Sequence, residues 1–417
     1  MCYTIKWYSI FILAYKEVFP LKYWRGYIAA AIFAAITWAL TEFAKSHSVL
    51  VDMVYPYVTR LIQTTLAGWS SEADFLLWQL FAVLLGVILL ASIVVMIVLK
   101  WNPVQWLGWV LAGASCLWML HTGIFGLNNY AGPLADDIRL NVTEFTVSEL
   151  ADATTYFRDK ANELATQVPR DAQCKPKYPS FEELAEMAAD GYDDLVYEQS
   201  LSVFAGSTKP VKKLGWEKMY TSMGISGFAF PLTGEAAVNP TIPVVSMPFA
   251  MCHEMAHRMC ISLERDANLT GYLACIANED PIYQYSGYFM AFRYCYNALA
   301  GVSTSAASNA AKNIYAGIND TLMSDLNDYR AYLNANIKQT ASKVGDAVND
   351  AYIQASGDES GIRSYGEVTD LLVSWYIQVI YLPEHKEEEV GFDPTDKNQV
   401  DLSTTITPTV PVGGTGN

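Results

Sequence analysis

The segment MPFAMCHEMAHRMC, residues 247–260, contains two of the five histidines of the chain at a spacing with chemical meaning. His253 and His257 are four residues apart, and Glu254 directly follows the first of them. On an α-helix, positions i and i+4 project from one face, so both imidazoles can reach one metal ion. Zn²⁺ suits nitrogen ligands, and the adjacent glutamate can take a proton from water. The pattern predicts a zinc site that hydrolyses peptide bonds, with Glu254 as general base.

The helix that carries this motif also has recognisable ends. Ser246 is the expected N-cap, and Pro248 falls in the first turn, where a missing N–H costs nothing. The other residues of this helix are mostly apolar, so we expect it to be buried. Burying two histidines and a glutamate costs free energy unless they are paired, so their presence in such a helix indicates a function. The simpler alternative is that both histidines are core residues bonded to their neighbours.

A catalytic zinc site needs a third protein ligand. The segment SLERDANLTGYLACIANEDP, residues 262–281, is predicted to form a second helix that can turn back towards the motif. Asp266, nine residues after His257, is the first candidate ligand, and Glu264 is the second. Cys260, on the same helical stripe as His257, is the third. A simpler explanation of the two acids is that they stabilise a helix N-terminus through its dipole.

Peptide hydrolysis also needs groups that align the substrate and stabilise negative charge. Tyr285, Tyr288 and Arg293, in the segment YQYSGYFMAFRY, are candidates for that role, and Asn268 is expected to face the site. Packing is the alternative role for each of the first three. The segment 224–240 contains short β runs among Gly, Pro and Thr residues, and it could offer an edge strand to an extended peptide.

Three apolar runs, at residues 26–43, 75–99 and 104–125, are each long enough to cross a bilayer. They predict a transmembrane region at 26–127 with an outer loop at 44–74, so the chain should contact membrane lipid through three helices. Basic residues in the first 25 positions favour a cytoplasmic N-terminus. Three crossings then place residues 128–383 outside the cytoplasm, as a mostly helical domain.

Charge is distributed unevenly along the 417 residues. Residues 1–127 carry seven Lys/Arg and five Asp/Glu, whereas residues 128–417 carry 20 and 38. An acidic domain repels phosphate backbones, so nucleic acid is not an expected partner. The seven cysteines show no CxxC pair, so no disulfide framework is indicated. Residues 384–417 are acidic and then Thr/Pro/Gly-rich, and we expect a disordered tail.

Several of these segments together resemble a known family. The run FPLTGEAAVN, MPFAMCHEMAHRM, ERDANLTGYLAC and YQYSGYFMAFRYCYNAL is similar to an uncharacterised bacterial membrane-protein family, domain of unknown function 3810. The resemblance implies a zincin-like domain on the bacterial cytoplasmic membrane, with His253 and His257 as zinc ligands and Glu254 as base. The glutamate of the family's EAN segment falls on Asp266, which is one methylene shorter, and the acid two residues earlier falls on Glu264. Cys260 stands where the family tends to have Gly.

Two functions remain open from the sequence. The first is a membrane-anchored zinc metallopeptidase that cleaves cell-surface or wall-associated peptides or proteins. The second is a non-catalytic surface protein in which a structural zinc ion, with four protein ligands and no position for water, supports binding of a partner. The expected fold class is mainly α, with three N-terminal transmembrane helices followed by an extracytoplasmic, mostly helical, zincin-like domain that has a small β element.

Overall fold

The computed structural model describes residues 21–337, 341–343, 346–347 and 364–385. Most of the predicted N-terminal segment 1–25 and of the predicted disordered tail 384–417 therefore lies outside the described residues. The main helices in chain order are α1 Arg25–Ser46, α2 Ser48–Ser70, α3 Leu77–Val98, α4 Pro103–Ile124, α5 Val147–Ala165, α6 Phe181–Tyr197, α7 Glu217–Met223, α8 Met247–Arg258, α9 Glu264–Ala277, α10 Pro281–Gly301, α11 Ser305–Ala316, α12 Asp320–Asn336 and α13 Ser364–Trp375. The strands are β1 Lys212–Lys213, β2 Gly227–Phe230 and β3 Glu235–Val238. The predicted class, mainly α with a small β element, is confirmed.

The three predicted membrane helices are α1, α3 and α4, which are long and apolar enough to cross a bilayer. The Tyr27 hydroxyl of α1 donates to the Val104 carbonyl of α4, so these two helices begin at the same end of the bundle. They pack so closely that a Cβ on Gly26 would lie 2.4 Å from the backbone of Gly108. α3 is different, because none of its apolar window is buried within the protein. Such a helix requires lipid around it.

The segment 44–74, predicted to be an outer loop, is instead largely helical, since α2 occupies most of it. Its sequence is amphipathic, with apolar and polar residues on opposite faces, which is a helical pattern. Pro56 lies inside this helix and disguises the pattern, because proline normally ends or kinks a helix. The connection between the first two spans is therefore mostly a helix and not an irregular loop.

The β element is a three-stranded sheet of order β1–β3–β2, in which β3 pairs in parallel with β1 and antiparallel with β2. Both predicted β runs are confirmed as β2 and β3. The sheet is tied to the membrane part through Glu235, whose carboxylate accepts from the backbone N–H groups of Leu77 and Trp78 at 2.9 Å each. It therefore caps the first turn of α3. Phe228 and Phe230 of β2 pack on the Trp78 ring.

The remaining helices surround α9, which contacts α6, α8, α10 and α13. Capping boxes begin α5 at Thr146 and α6 at Ser180. α6 approaches α9 at Gly191, where a Cβ would meet the Ala274 carbonyl oxygen at 1.9 Å. The described cysteines, Cys116, Cys174, Cys252, Cys260, Cys275 and Cys295, carry free thiols. The core thus holds the motif helix α8 between neighbours that fix its rotation.

Candidate metal centre

The two motif histidines and one glutamate form a compact group of metal-ligating side chains. Ligand atoms of His253, His257 and Glu264 all lie within 4.8 Å of one another. Oε2 of Glu264 is 3.4 Å from Nε2 of His253, and Oε1 is 3.6 Å from Nε2 of His257. The two imidazole rings are almost perpendicular, at 89°. Their Nε2 atoms and the carboxylate therefore converge on one point, as ligands of a single ion do.

The turn after α8 explains how Glu264 reaches the histidines. The N–H of Ile261 bonds the Ala256 carbonyl at 3.1 Å, and the N–H of Cys260 bonds the His257 carbonyl at 2.9 Å. These are the two bonds of a Schellman motif, whose left-handed position is usually glycine. Here Cys260 takes that position with φ of 70°. The turn reverses the chain, so that Glu264, at the start of α9, faces back towards α8.

The same turn orients His257. Its Nδ1 lies 2.8 Å from the Ile261 carbonyl oxygen, and this oxygen can only accept, so Nδ1 must carry the proton. The tautomer so fixed leaves the Nε2 lone pair free for a metal. A backbone carbonyl in this role is a common outer partner of metal-bound histidine.

Unsatisfied polar atoms in this cluster fit a cation. Oε2 of Glu264 and Nδ1 of His253 are buried and have no hydrogen-bond partner among the described residues. A buried carboxylate oxygen without a partner is costly, and a bound cation would remove that cost. Two imidazoles with one carboxylate are a donor set that Zn²⁺ accepts.

The pKa values of Glu254, His257 and Glu264 depend on one another, because these side chains are buried close together. Burial alone would raise the pKa of Glu264, but the adjacent His257 and His253 outweigh it and lower that pKa. Burial would lower the pKa of His257, but Glu264 raises it to about 9. For Glu254, burial is the largest cause and raises the pKa to about 7, against the lowering effect of both histidines. A carboxyl group tuned near neutrality suits a general base.

The other two candidates for third ligand do not reach the histidines. Asp266, ranked first from the sequence, accepts through Oδ2 from the N–H of Leu134 at 3.3 Å. The reason is helical geometry: two residues after Glu264 correspond to a rotation of about 200°, which is the opposite face of α9. Cys260 turns away towards Thr59, in α2, and Asn128. The structure thus replaces Asp266 with Glu264 in the ligand cluster.

A cleft of about 660 Å³ opens over the cluster. The strand β2 forms part of its wall, and among the described residues β2 pairs only with β3, so its other edge is unpaired. Gly227 of β2 lies against the motif, since a Cβ there would be 2.3 Å from Oε1 of Glu254. The absence of a side chain at this position lets the strand edge and the base approach each other.

Two of the predicted substrate contacts serve other purposes in the structure. The hydroxyl of Tyr285 donates to Asp325 at 2.6 Å in the core, on the far side of α10 from the cleft. The hydroxyl of Tyr288 lies 3.4 Å from that of Tyr156. Neither residue lines the cleft.

Arg293, the third predicted substrate contact, also lies outside the cleft, whereas Tyr294, which was not predicted, lines it. Arg293 stacks on the ring of Tyr329, 3.8 Å from its centroid, and it does not line the cleft. Asn268 does line it, as predicted, because it is one helical turn after Glu264. Tyr294, which also lines the cleft, donates its hydroxyl to Oδ1 of Asn268 at 3.1 Å. Spacing alone cannot select Tyr294 among the tyrosines of α10, since the selection depends on how α10 packs on α9.

The N-terminus of α8 also differs from prediction. Ser246 makes no side-chain cap, because its hydroxyl donates to the Pro243 carbonyl at 2.9 Å within a preceding 3₁₀ turn. Pro248 lies in the first turn, as expected. The N–H of Phe249 is instead satisfied by the hydroxyl of Ser286, on α10, at 3.0 Å. The motif helix is therefore capped from a neighbouring helix, which sequence-local rules do not detect.

Comparison with known proteins gives one match. No curated protein and no solved structure matches this chain. One family model, described as a protein of unknown function and named DUF3810, matches residues 51–373. That range begins in α2 and ends in α13, so it includes two membrane helices, the sheet and the whole ligand cluster. The chain therefore belongs to the DUF3810 family.

Proposed function

We propose that this protein is a membrane-anchored zinc metallopeptidase. The observation that carries the proposal is the convergence of His253, His257 and Glu264 within 4.8 Å, with the carboxyl group of Glu254 buried beside them. The donor set fits zinc in its catalytic form, in which three protein ligands leave one position for water. The alternative of a structural zinc site needs a fourth protein ligand, and Cys260, the thiol considered for that role, turns away from the cluster.

Zinc held by these three side chains would supply Lewis-acid activation of water and of the peptide carbonyl. Side chains of the protein carry out proton transfer and stabilise the negative charge. Glu254, buried beside the ligands, accepts a proton from the attacking water and returns it to the leaving amine. Buried Nδ2 of Asn268 has no partner among the described residues, and the Tyr294 hydroxyl lies beside it. Nδ2 of Asn268 is the donor in the cleft suited to stabilise the oxyanion, and the Tyr294 hydroxyl orients this amide by donating to its Oδ1.

The substrate class follows from the wall of the cleft. The unpaired edge of β2 offers backbone N–H and C=O groups to an extended polypeptide, which would add as a further strand. Because Gly227 is next to Glu254, a peptide on this edge would pass directly by the base. The substrate is therefore a peptide or an extended protein segment. The excess of basic residues in the first 25 positions supports placement of this domain on the outer face of the bacterial cytoplasmic membrane, towards cell-surface or wall-associated substrates.

The test uses the full chain purified in detergent, with zinc content and cleavage of an internally quenched peptide library measured on the same samples. Glu254→Gln keeps the ligands and removes the base, so we expect zinc to remain while cleavage falls by about 10²–10⁴-fold. Glu186→Gln, on the exposed side of α6, is the matched control and should leave both unchanged. Zinc without any cleavage by the parent protein would favour the non-catalytic surface protein, and equal cleavage by Glu254→Gln would refute the mechanism.

A further inference from the structure

The helix α2 exposes a largely apolar face that the proposed peptidase activity does not use, interrupted at Thr65, whose hydroxyl donates to the Leu61 carbonyl at 2.8 Å. Val49, Met53, Tyr57 and Leu61 follow one another at intervals of four residues, and Trp69 continues the series two turns later. The exposed fractions of these five side chains lie between 62% and 74%. No charged side chain lies on this face, because Asp52 bonds the N–H of Gly132 and Arg60 is buried. A face of this size and composition marks a contact surface.

Both ends of α2 lie at the ends of membrane helices. At its start, only His47 separates α2 from α1, and the hydroxyl of Tyr55 donates to the Thr122 carbonyl near the end of α4 at 2.9 Å. At its end, Lys212 donates to the carbonyls of both Ser70 and Phe75, just before α3 begins. α1 and α4 end, and α3 starts, on the same side of the bilayer. A helix of 23 residues, about 35 Å long, that has both ends on one surface must lie along that surface.

The opposite face of α2 is polar and is fixed to the extramembrane domain. Arg60 donates to the carbonyls of Met259, at the end of α8, and Ser202, at 3.3 and 3.2 Å. Gln63 donates to the carbonyl of Pro231, in the β2–β3 turn, at 3.0 Å. The domain therefore lies on one side of α2, and the apolar face points to the other side.

We propose that α2 is an in-plane membrane helix whose apolar face is inserted among the lipids of the bilayer that α1, α3 and α4 span. The surface is continuous with the lipid-facing surfaces of those helices, which is the reason to assign lipid as the occupant. The arrangement matches an interfacial amphipathic helix with Trp69 at one end, except that its polar face binds the protein's own domain in place of water.

This position determines the height of the metal centre above the membrane. α8, which forms one side of the cleft, and the β2–β3 turn both rest directly on α2. Phe125, the residue that follows α4, also lines the cleft. The cleft therefore lies about one helix diameter, on the order of 10 Å, from the lipid surface. If the site is a peptidase as proposed, polypeptide close to the bilayer is within its reach.

The lipid assignment is tested with the full chain in nanodiscs of phosphatidylcholine and phosphatidylglycerol. The photo-crosslinker p-benzoylphenylalanine replaces Met53 or Leu61, one position at a time, and the adducts are identified by mass spectrometry. Ile88 in the span α3, 62% exposed, is the positive control, and Tyr197 at the end of α6, 75% exposed, is the negative control. We expect phospholipid adducts at Met53 and Leu61, as at Ile88, and none at Tyr197.

Three results would overturn the assignment. A dimer of twice the mass would show that a second copy covers the face, and an adduct to residues 1–20 would show that the chain's own N-terminus does. Adducts at Ile88 without any at Met53 or Leu61 would show that the face is in water. The crosslinking readout does not involve hydrolysis, so it is independent of the proposed activity. Peptide cleavage without lipid adducts would refute only the membrane position of α2, and lipid adducts without peptide cleavage would refute only the peptidase activity.

Discussion

Two buried clusters of charged side chains lie in the same helical domain and differ in how their polar atoms are satisfied. In the first, Asp325 accepts from both terminal nitrogens of Arg170, at 3.1 and 2.7 Å, and from the Tyr285 hydroxyl at 2.6 Å. In the second, Glu264 lies between two histidines, and its Oε2 has no hydrogen-bond partner among the described residues. The named polar groups of the first cluster are paired within the protein, whereas the second has a carboxylate oxygen that a cation could satisfy.

A structural cluster and a functional cluster can contain the same residue types. They differ in whether their polar atoms are paired within the protein and in whether they line a cleft. Both clusters contain a carboxylate, and both lie close to a tyrosine of α10. Tyr285, a predicted catalytic candidate, belongs to the closed structural cluster, and Tyr294, which is nine residues later, lines the open one. Closed pairing serves stability, and unsatisfied donors and acceptors around a cleft serve binding. The following variants test that separation.

The largest expected effect is on stability at the closed cluster. Asp325→Ala leaves the Arg170 cation buried and unpaired, which costs about 3–5 kcal/mol. For a domain of this size, that corresponds to a decrease of about 6–20 °C in the thermal unfolding midpoint. The measurement is tryptophan fluorescence of the full chain in detergent during heating, together with zinc content of the folded protein, which should not change.

Asp328→Ala is the matched control for this variant. Asp328 pairs with Lys175 on the surface, where both side chains are about half exposed. Exposed pairs contribute about 0–1 kcal/mol, so the midpoint should hardly move. Equal shifts for Asp325→Ala and Asp328→Ala would contradict the assignment of the first cluster as a structural element of the core.

A smaller effect, on catalysis, is expected at the open cluster. Tyr294→Phe removes the hydrogen bond proposed to hold Nδ2 of Asn268 towards the oxyanion. Complete loss of an oxyanion donor costs about 10²–10³-fold in kcat, so we expect a decrease of up to that size. Tyr285→Phe is the comparison. It removes a hydrogen bond to a buried carboxylate, so it should lower stability by about 1.5–3 kcal/mol and leave the kcat of folded protein unchanged. If peptide cleavage assays instead show a decreased kcat for Tyr285→Phe and an unchanged kcat for Tyr294→Phe, the tyrosine that supports catalysis is Tyr285.

The smallest effect is expected at the turn between the ligand helices. Cys260→Gly relieves the left-handed strain at φ of 70°, about 1 kcal/mol, and loses the packing of a small buried side chain of similar worth. The unfolding midpoint should therefore change by only a few degrees, and the zinc content should stay the same. Loss of zinc in this variant would show that the thiol is a ligand, and the structural-zinc reading would then gain support.

The elements that the sequence predicts well are those with local signals. The spans α1, α3 and α4 follow from long apolar runs, and the capping boxes at the starts of α5 and α6 are local signals of the same kind, since each is contained in one stretch of sequence. The helix α2, in the connecting segment 44–74, has no equally clear local signal, because Pro56 interrupts a helical pattern that is held by contacts far along the chain. Those contacts are the bonds from Arg60 to Met259 and from Gln63 to Pro231.

The site shows the same division between local and non-local information. His253, Glu254 and His257 are found together because their geometry is set by one helix. The third ligand depends on where α9 begins: starting at Glu264, the helix directs Glu264 and Asn268 to one face and Asp266 to the other. A shift of that start by two residues would exchange the two acids, and single-sequence rules do not locate helix ends that accurately. Tyr294 depends on the packing of two helices and has no local signal.

The central claim is that His253, His257 and Glu264 hold one zinc ion, and the most direct measurement is the zinc content of the purified full chain and two variants by mass spectrometry. Glu264→Gln removes the proposed third ligand, and Asp266→Asn is its matched control two residues away. We predict one zinc per chain for the parent protein and for Asp266→Asn. For Glu264→Gln we predict a loss of affinity beyond the roughly 10–100-fold typical of outer partners. Zinc retained in Glu264→Gln but lost in Asp266→Asn, or a parent protein that binds no zinc, would contradict the account.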